Sequence, residues 1–199
     1  MGNELRSPGA NPELSKRTLP RRKPPKTVIR LSRQEFRDPI FWSTKGKYRF
    51  DSPTARYGVL YTAATFEGAI LEVFGDRWIE YRAVSEQLLR SYNLVKLSIG
   101  PGLWMVNTLG PNLVSAAVDA RLFASTDYEK TQAWGRAFME HPQNFDGILF
   151  HSRKNPRRLN YAFFETESAQ AAIKIADTFP LIDTDDLYSV LERYGIKLL

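Results

Sequence analysis

Residues 47–76, KYRFDSPTARYGVLYTAATFEGAILEVFGD, contain a strand pattern followed directly by a helix pattern. The segment YGVLYTA is rich in β-branched and aromatic residues, which is typical of a strand. The residues after it predict a helix over 65–74, with Thr65 as the N-cap and Gly75 as the stop signal. Glu72 lies inside this helix, and the pattern leaves open whether its carboxylate faces solvent or a pocket.

The rest of the chain contains short strands and several helices without a strict alternation of the two. Further strands are predicted at TVIRLS, NLVKLSI, GILFHS and NYAFFE, which are residues 27–32, 93–99, 147–152 and 160–165. Further helices are predicted over residues 86–91, 113–123, 169–179 and 186–195, and from Thr126 or Asp127 to about Glu140. Because neither a βαβ repeat nor a glycine-rich phosphate loop occurs, we expect an α+β fold and not a doubly wound sheet.

The length of 199 residues and the hydrophobic fraction of 43% fit one globular domain. The whole net charge of +6 comes from residues 1–30, because residues 31–199 carry equal numbers of basic and acidic side chains. Residues 1–26 are also rich in proline and lack an apolar period. We therefore expect a flexible basic tail over residues 1–26 and one folded domain over residues 27–199. A chain that begins near Thr27 is expected to keep its fold and its function.

Composition excludes several kinds of site. The sequence has no cysteine, so disulfides, thiolate zinc sites and cysteine nucleophiles are absent. Only His141 and His151 are available as histidine ligands, and we expect no metal. No apolar run reaches the roughly 18 residues of a membrane-spanning helix, and the chain does not begin with a secretory signal pattern. A cytoplasmic protein without membrane contact is therefore expected.

Glu72 is surrounded on its predicted helix by small or short side chains. Its neighbours about one turn away are Gly68, Ala69, Gly75 and Asp76. In one interpretation Glu72 faces water, as most helical glutamates do. In the other interpretation, the small residues leave room for a ligand to contact the carboxylate.

Two distant segments together carry a family resemblance. YRFDSP followed by YGVLYTAATFEGAILEVF, and far downstream FDGILFHSR followed by NYAFFE, resemble the RES domain family, which is named after an arginine, a glutamate and a serine. The resemblance spans roughly residues 28–166 and assigns the family positions to Arg49, Tyr61, Glu72 and Ser152. The segment between Arg49 and Tyr61 is longer than in the compact form of the family, so Arg56 is an alternative to Arg49.

The resemblance implies a fold similar to that of ADP-ribosyltransferases, NAD as the substrate without a further cofactor, and a helix-turn-helix antitoxin of the Xre type as the partner. It implies that Glu72 stabilises the positive charge that develops when the nicotinamide–ribose bond breaks. Arg49 would bind the pyrophosphate, with Arg153 as a second cation, and Tyr61 would offer a flat partner to the nicotinamide or the ribose. Ser152 would hold the carboxamide or a ribose hydroxyl.

Three functions remain open at this point. The first is an NAD-consuming toxin that transfers the ribose to water or to phosphate. The second is an ADP-ribosyltransferase that uses the same site on a macromolecular acceptor. The third is a nucleic-acid-binding module that uses the basic tail and the hairpin SRKNPRR over residues 152–158, although the balanced charge of the body argues against it.

Overall fold

The computed structural model describes residues 12–115, 122 and 128–199. The strands are β1 (Arg21–Arg22), β2 (Thr27–Arg33), β3 (Val59–Ala63), β4 (Ala83–Val84), β5 (Tyr92–Ile99), β6 (Met105–Asn107), β7 (Gly147–His151), β8 (Leu159–Phe164), β9 (Ile173–Pro180) and β10 (Lys197–Leu198). The α-helices are α1 (Phe66–Tyr81), α2 (Glu86–Arg90), α3 (Asn112–Ser115), α4 (Tyr128–Met139), α5 (Glu167–Ala172) and α6 (Asp186–Arg193), and 3-10 helices cover Pro12–Lys16 and Leu181–Asp183.

Eight strands form one mixed sheet in the order β1-β6-β7-β8-β3-β2-β5-β9. Strands β6 and β7 are parallel, and every other neighbouring pair in this sheet is antiparallel. Strands β4 and β10 form a separate parallel pair. The predicted α+β class is confirmed, and β2, β3, β5, β7 and β8 match the five strands predicted from the sequence.

Helix α1 begins where the sequence predicted and ends later. Thr65 caps its N-terminus, since its side chain accepts a hydrogen bond from the backbone N–H of Gly68. The helix does not stop at Gly75 but continues to Tyr81, where Arg82 caps it in the left-handed region with φ 54°. A glycine inside a helix costs about 1 kcal/mol, and burial of Trp78 in the next turn, at about 1.5–3 kcal/mol, outweighs it.

The helix predicted over residues 169–179 is wrong in its second half. Helix α5 ends at Ala172, and the next residues form β9 on the free edge of β5. Ile173, Ile175 and Phe179 are branched or aromatic side chains that favour a strand once a pairing edge is available. The apolar period alone could not show that this edge exists, because the edge is made by a distant strand.

The helices predicted in the middle of the chain are described in part. Helix α4 agrees with the prediction, although its proposed start at Thr126 or Asp127 lies outside the described residues. Helix α3 covers the beginning of the segment 113–123, and most of that segment also lies outside them. No helix in the part of the chain that the structure describes is long and apolar enough to cross a membrane.

The described part of the predicted tail, residues 12–26, packs against the domain, which differs from the flexible tail expected over residues 1–26. Leu14 and Leu19 are buried in a core cluster together with Trp134 and Phe138. The backbone N–H of Leu19 donates to Gln143, and β1 pairs with β6. Two apolar residues among many charged ones are enough to anchor the segment, and a proline-rich composition does not show this. Residues 1–11 lie outside the described residues.

A buried ion cluster fixes the first turn of α1. Glu67 is 6% exposed and accepts two hydrogen bonds from Arg158, at 2.9 and 2.8 Å. It also accepts from Arg193 and from the Tyr194 hydroxyl on the C-terminal side of α6. Arg158 precedes β8, so this cluster connects α1 with both α6 and the hairpin between β7 and β8.

Candidate active site

Helix α1 crosses one face of the β3–β8 pair. In this antiparallel pair Tyr61 lies opposite Ala162 and Ala63 lies opposite Asn160, so all four side chains share a face. A Cβ atom at Gly68 would lie 3.1 Å from the Cβ of Ala63 and 3.6 Å from Oδ1 of Asn160. The absence of a side chain at Gly68 therefore brings α1 close to the strands, with Glu72 one turn further along.

Glu72 receives two hydrogen bonds from this face. Its Oε1 atom accepts from the Ser152 hydroxyl at 2.7 Å and from the Asn160 side-chain amide at 2.8 Å. Both donors are 1% exposed, whereas Glu72 itself belongs to the exposed residues. Both interpretations of Glu72 are therefore partly right, because the residue is open to solvent while one carboxylate oxygen is held by buried groups.

Ser152 follows the last residue of β7 and is itself held from several sides. Its backbone N–H donates to the carbonyl oxygen of Arg158, and its hydroxyl accepts from the backbone N–H of Lys154 at 3.2 Å. These bonds leave the hydroxyl proton directed at Glu72. Ser152 contacts the carboxylate directly, whereas the sequence suggested a contact with the substrate.

Hydrogen bonds from Tyr61 and Asp51 fix the position of the loop that carries Arg49. Asp51 is fully buried, and its carboxylate accepts from the Tyr61 hydroxyl at 3.0 Å and from two backbone N–H groups of the preceding turn. The Tyr61 hydroxyl in turn accepts from the backbone N–H of Phe50 at 2.9 Å. Burial, reinforced by the nearby charge of Asp51, raises the pKa of Tyr61 well above its usual value.

Arg49 lies within electrostatic reach of Glu72, and Arg56 does not share this environment. Burial lowers the pKa of Arg49, while the negative charge of Glu72 opposes this shift and the positive charge of Arg153 adds to it. The Arg56 residue is exposed, and its backbone N–H donates to the hydroxyl of Ser52. The charges of Arg49 and Glu72 therefore interact, whereas Arg56 lies exposed on the same loop.

Two cations of the β7–β8 hairpin approach α1 from its C-terminal side. Arg153 donates to Asp76 at 3.1 Å, and Lys154 also forms an ion pair with Asp76. The aliphatic chain of Lys154 crosses α1 at Gly75, where a Cβ atom would lie 2.9 Å from its Cγ atom. Burial lowers the pKa of Lys154, opposed by Glu72. The small residues around Glu72 thus leave room for the side chain of Lys154, and not only for a ligand.

Sequence reasoning missed Asn160 and Lys154 near this face, and it also missed the buried cation Arg30 in the neighbouring strand β2. The guanidinium of Arg30 donates to the backbone oxygen of Tyr61 at 3.0 Å, and burial lowers its pKa. A charged residue inside the apolar strand TVIRLS was a signal for Arg30. The amide of Asn160 and the lysine of a basic turn carry no comparable local signal. Among the described residues, no group of three or more histidine, aspartate or glutamate side chains could hold a metal ion.

The protein is an α+β domain in which an arginine, a glutamate and a serine interact where α1 packs on β8. The chain belongs to the RES domain family, whose model matches residues 27–184. The fold is similar to that of a chain in the crystal structure of the M. tuberculosis MbcT–MbcA toxin–antitoxin complex. The two chains share 16% identity with a TM-score of 0.66, over 92% of this chain and 99% of the other. No curated protein matches the sequence.

Proposed function

We propose that this protein is an NAD-consuming toxin that cleaves the bond between nicotinamide and ribose. The observation that carries the proposal is the state of Glu72, an exposed carboxylate with Oε1 held by Ser152 and Asn160. Membership of the RES domain family supports the proposal, as does the likeness of the fold to a chain of a toxin–antitoxin complex.

In the proposed reaction the bond between C1′ of the ribose and the ring nitrogen of nicotinamide breaks. The bonding electrons go to the ring nitrogen and neutralise its positive charge, so nicotinamide leaves without a general acid. The ribose becomes oxocarbenium-like and electron-poor at C1′, and a fixed carboxylate stabilises that charge. Glu72 is the carboxylate for this step. C1′ then forms a bond either to a phosphate oxygen or to the oxygen of water, which releases a proton to solvent.

The cations around Glu72 suit the rest of the substrate. The guanidinium of Arg49 is a planar donor that can bind a pyrophosphate oxygen pair, and the Tyr61–Asp51 contacts hold its loop in place. Arg153 and Lys154 add positive charge to the same site. The exposed ring of Tyr48 lies 5.8 Å from the ring of Tyr61 in an edge arrangement, which offers an aromatic surface beside the same site.

A protein partner belongs to the same proposal. A toxin that degrades NAD requires an inhibitor in the cell that makes it, and the chain with the similar fold comes from a toxin–antitoxin complex. We infer an antitoxin for this chain as well, and the Xre type and a cytoplasmic location stay predictions.

The test is to incubate the purified protein with NAD, with and without inorganic phosphate, and to separate the products. ADP-ribose formed without phosphate identifies hydrolysis, and ADP-ribose 1″-phosphate formed only with phosphate identifies phosphorolysis. Label from adenine-labelled NAD that appears on a macromolecule would identify an ADP-ribosyltransferase instead. NAD that remains intact under all conditions would overturn the proposal.

A further inference from the structure

Asn160 occupies a place in the sheet where an amide needs an explanation. It lies in β8, is 1% exposed, and shares its face with the apolar side chains of Ala63, Ala162 and Phe150. Asparagine is disfavoured in strands, and burial of its two polar atoms costs free energy unless both find partners. Packing alone would therefore favour an apolar residue at this position.

The hydrogen bonds of Asn160 point to Glu72 as the reason. Its Nδ2 group donates to Oε1 of Glu72 at 2.8 Å, whereas its buried Oδ1 atom has no partner within the described residues. The orientation of the amide is fixed by this contact, because rotation by a half turn would bring Oδ1 against the carboxylate oxygen. The Nδ2 group of Asn160 therefore has a hydrogen-bond partner in Glu72, whereas its Oδ1 atom has none among the described residues.

The two donors act on one oxygen of Glu72. Ser152, just after β7, and Asn160, in β8, both bind Oε1, and no hydrogen bond to Oε2 occurs among the described residues. Two bonds to one oxygen fix the plane and the direction of the carboxylate, and they leave Oε2 to interact with a substrate. One bond from Ser152 alone would allow the carboxylate to rotate about it.

We propose that Asn160 is a positioning residue for the reaction, which orients Glu72 so that its Oε2 atom meets the developing charge on the ribose. This role rests on the proposed NAD cleavage. Asn160 does not contact the substrate in this arrangement, because it is buried beneath the helix and its Oδ1 atom faces the backbone at Gly68. Its effect is therefore expected in the chemical step and not in substrate binding.

The experiment compares wild type, Asn160→Ala and Asn160→Val in NAD consumption and in thermal melting. Valine keeps a branched side chain suited to a strand and removes the donor, so it remains informative if the alanine variant does not fold. We expect kcat to fall roughly 10-fold or more, as for loss of a hydrogen bond to a charged group, with little change in KM. The matched control is Asn93→Ala, which removes a strand amide whose oxygen accepts from Gln34 and which makes no hydrogen bond to Glu72.

A double-mutant cycle with Glu72→Gln distinguishes positioning from a general structural effect. If Asn160 acts through Glu72, the alanine substitution should cost nothing further once Glu72 has been replaced. An equal loss in both backgrounds, a change confined to KM, or an unchanged kcat would each overturn the role of Asn160 while NAD cleavage stands. A wild-type protein that leaves NAD intact would overturn the proposed function and this role together.

Discussion

Glu67 and Glu72 lie on the same helix and have different environments. Glu67 is buried, and four hydrogen bonds from Arg158, Arg193 and Tyr194 hold both of its oxygens. Although burial raises the pKa of Glu67, these bonds lower it on balance. Glu72 is exposed and held through one oxygen. The first arrangement stabilises the fold, and the second leaves a carboxylate free to act on a ligand.

Replacement of Glu72 by glutamine should reduce NAD turnover on the order of 10²-fold or more, because a neutral amide does not stabilise a cationic transition state. The melting temperature should stay close to that of wild type, since the residue is exposed. Turnover and thermal melting should be measured on the same preparation. Glu80→Gln, an exposed carboxylate on the same helix, is the matched control. Near wild-type turnover in the folded Glu72 variant would contradict the role of this carboxylate.

Substitution of Arg49 by lysine should already be damaging, because an ammonium group cannot reproduce the two parallel donors of a guanidinium. We expect a clear rise in KM for NAD, whereas Arg56→Lys should change the kinetics little. Steady-state kinetics on both variants provide the comparison. If the damage falls on Arg56 instead, the assignment of the pyrophosphate to Arg49 is wrong.

The sequence could predict the proximity of some site residues and not of others. Arg49, Glu72 and Ser152 were grouped through a family resemblance, and the structure brings Glu72 into contact with Ser152 and near to Arg49. Asn160 could not be found in this way, since an asparagine at the start of a strand is also an ordinary turn residue. Its importance depends on Gly68, which brings the helix close enough for the contact.

The sequence predicts helix and strand boundaries correctly where a local feature defines them. It predicts them wrongly where contacts with a distant element define them. Thr65 marked the start of α1 correctly because capping is local. Gly75 did not end that helix, because burial of Trp78 against other elements continues it. The sequence pattern predicts a helix where β9 lies, because the pairing partner β5 is far away in the sequence.

The N-terminal segment should contribute to the stability of the domain. Leu19 is 1% exposed, and Leu19→Ala should lower the free energy of unfolding by about 2–5 kcal/mol, the usual cost of truncating a buried leucine. Removal of all residues before Thr27 should destabilise the domain at least as much. Urea unfolding of these variants is the measurement, with the exposed Arg17→Ala as the control. A truncated chain as stable as the full-length protein would contradict this role of the segment and support the prediction of a flexible tail.

Buried tyrosines should make the free energy of unfolding of the whole protein fall at alkaline pH. Burial raises the pKa of both Tyr57 and Tyr61. Their phenols therefore keep their protons in the native state, while the unfolded chain releases them near the ordinary value of about 10. This contribution to stability is complete below that pH and is lost as the pH rises above it.

Urea unfolding between pH 8 and pH 11 should show this loss as a falling free energy of unfolding. Tyr61→Phe should flatten the decline, because one of the protons retained in the native state is gone, although its stability at pH 8 should be lower through loss of the bond to Asp51. A decline with the same slope in wild type and Tyr61→Phe would contradict the assignment to this residue.

The separation of the site along the chain has a consequence for synthesis. Asn160 lies 88 residues after Glu72 in the chain. Glu72 therefore leaves the ribosome long before Asn160, which is the second hydrogen-bond donor to its carboxylate. At the usual rate of about 5–20 residues per second, the delay is roughly 4 to 18 s. During that interval the nascent polypeptide carries Glu72 without the strand that orients it. A cell that translates this message therefore meets the assembled site only when most of the chain has been made.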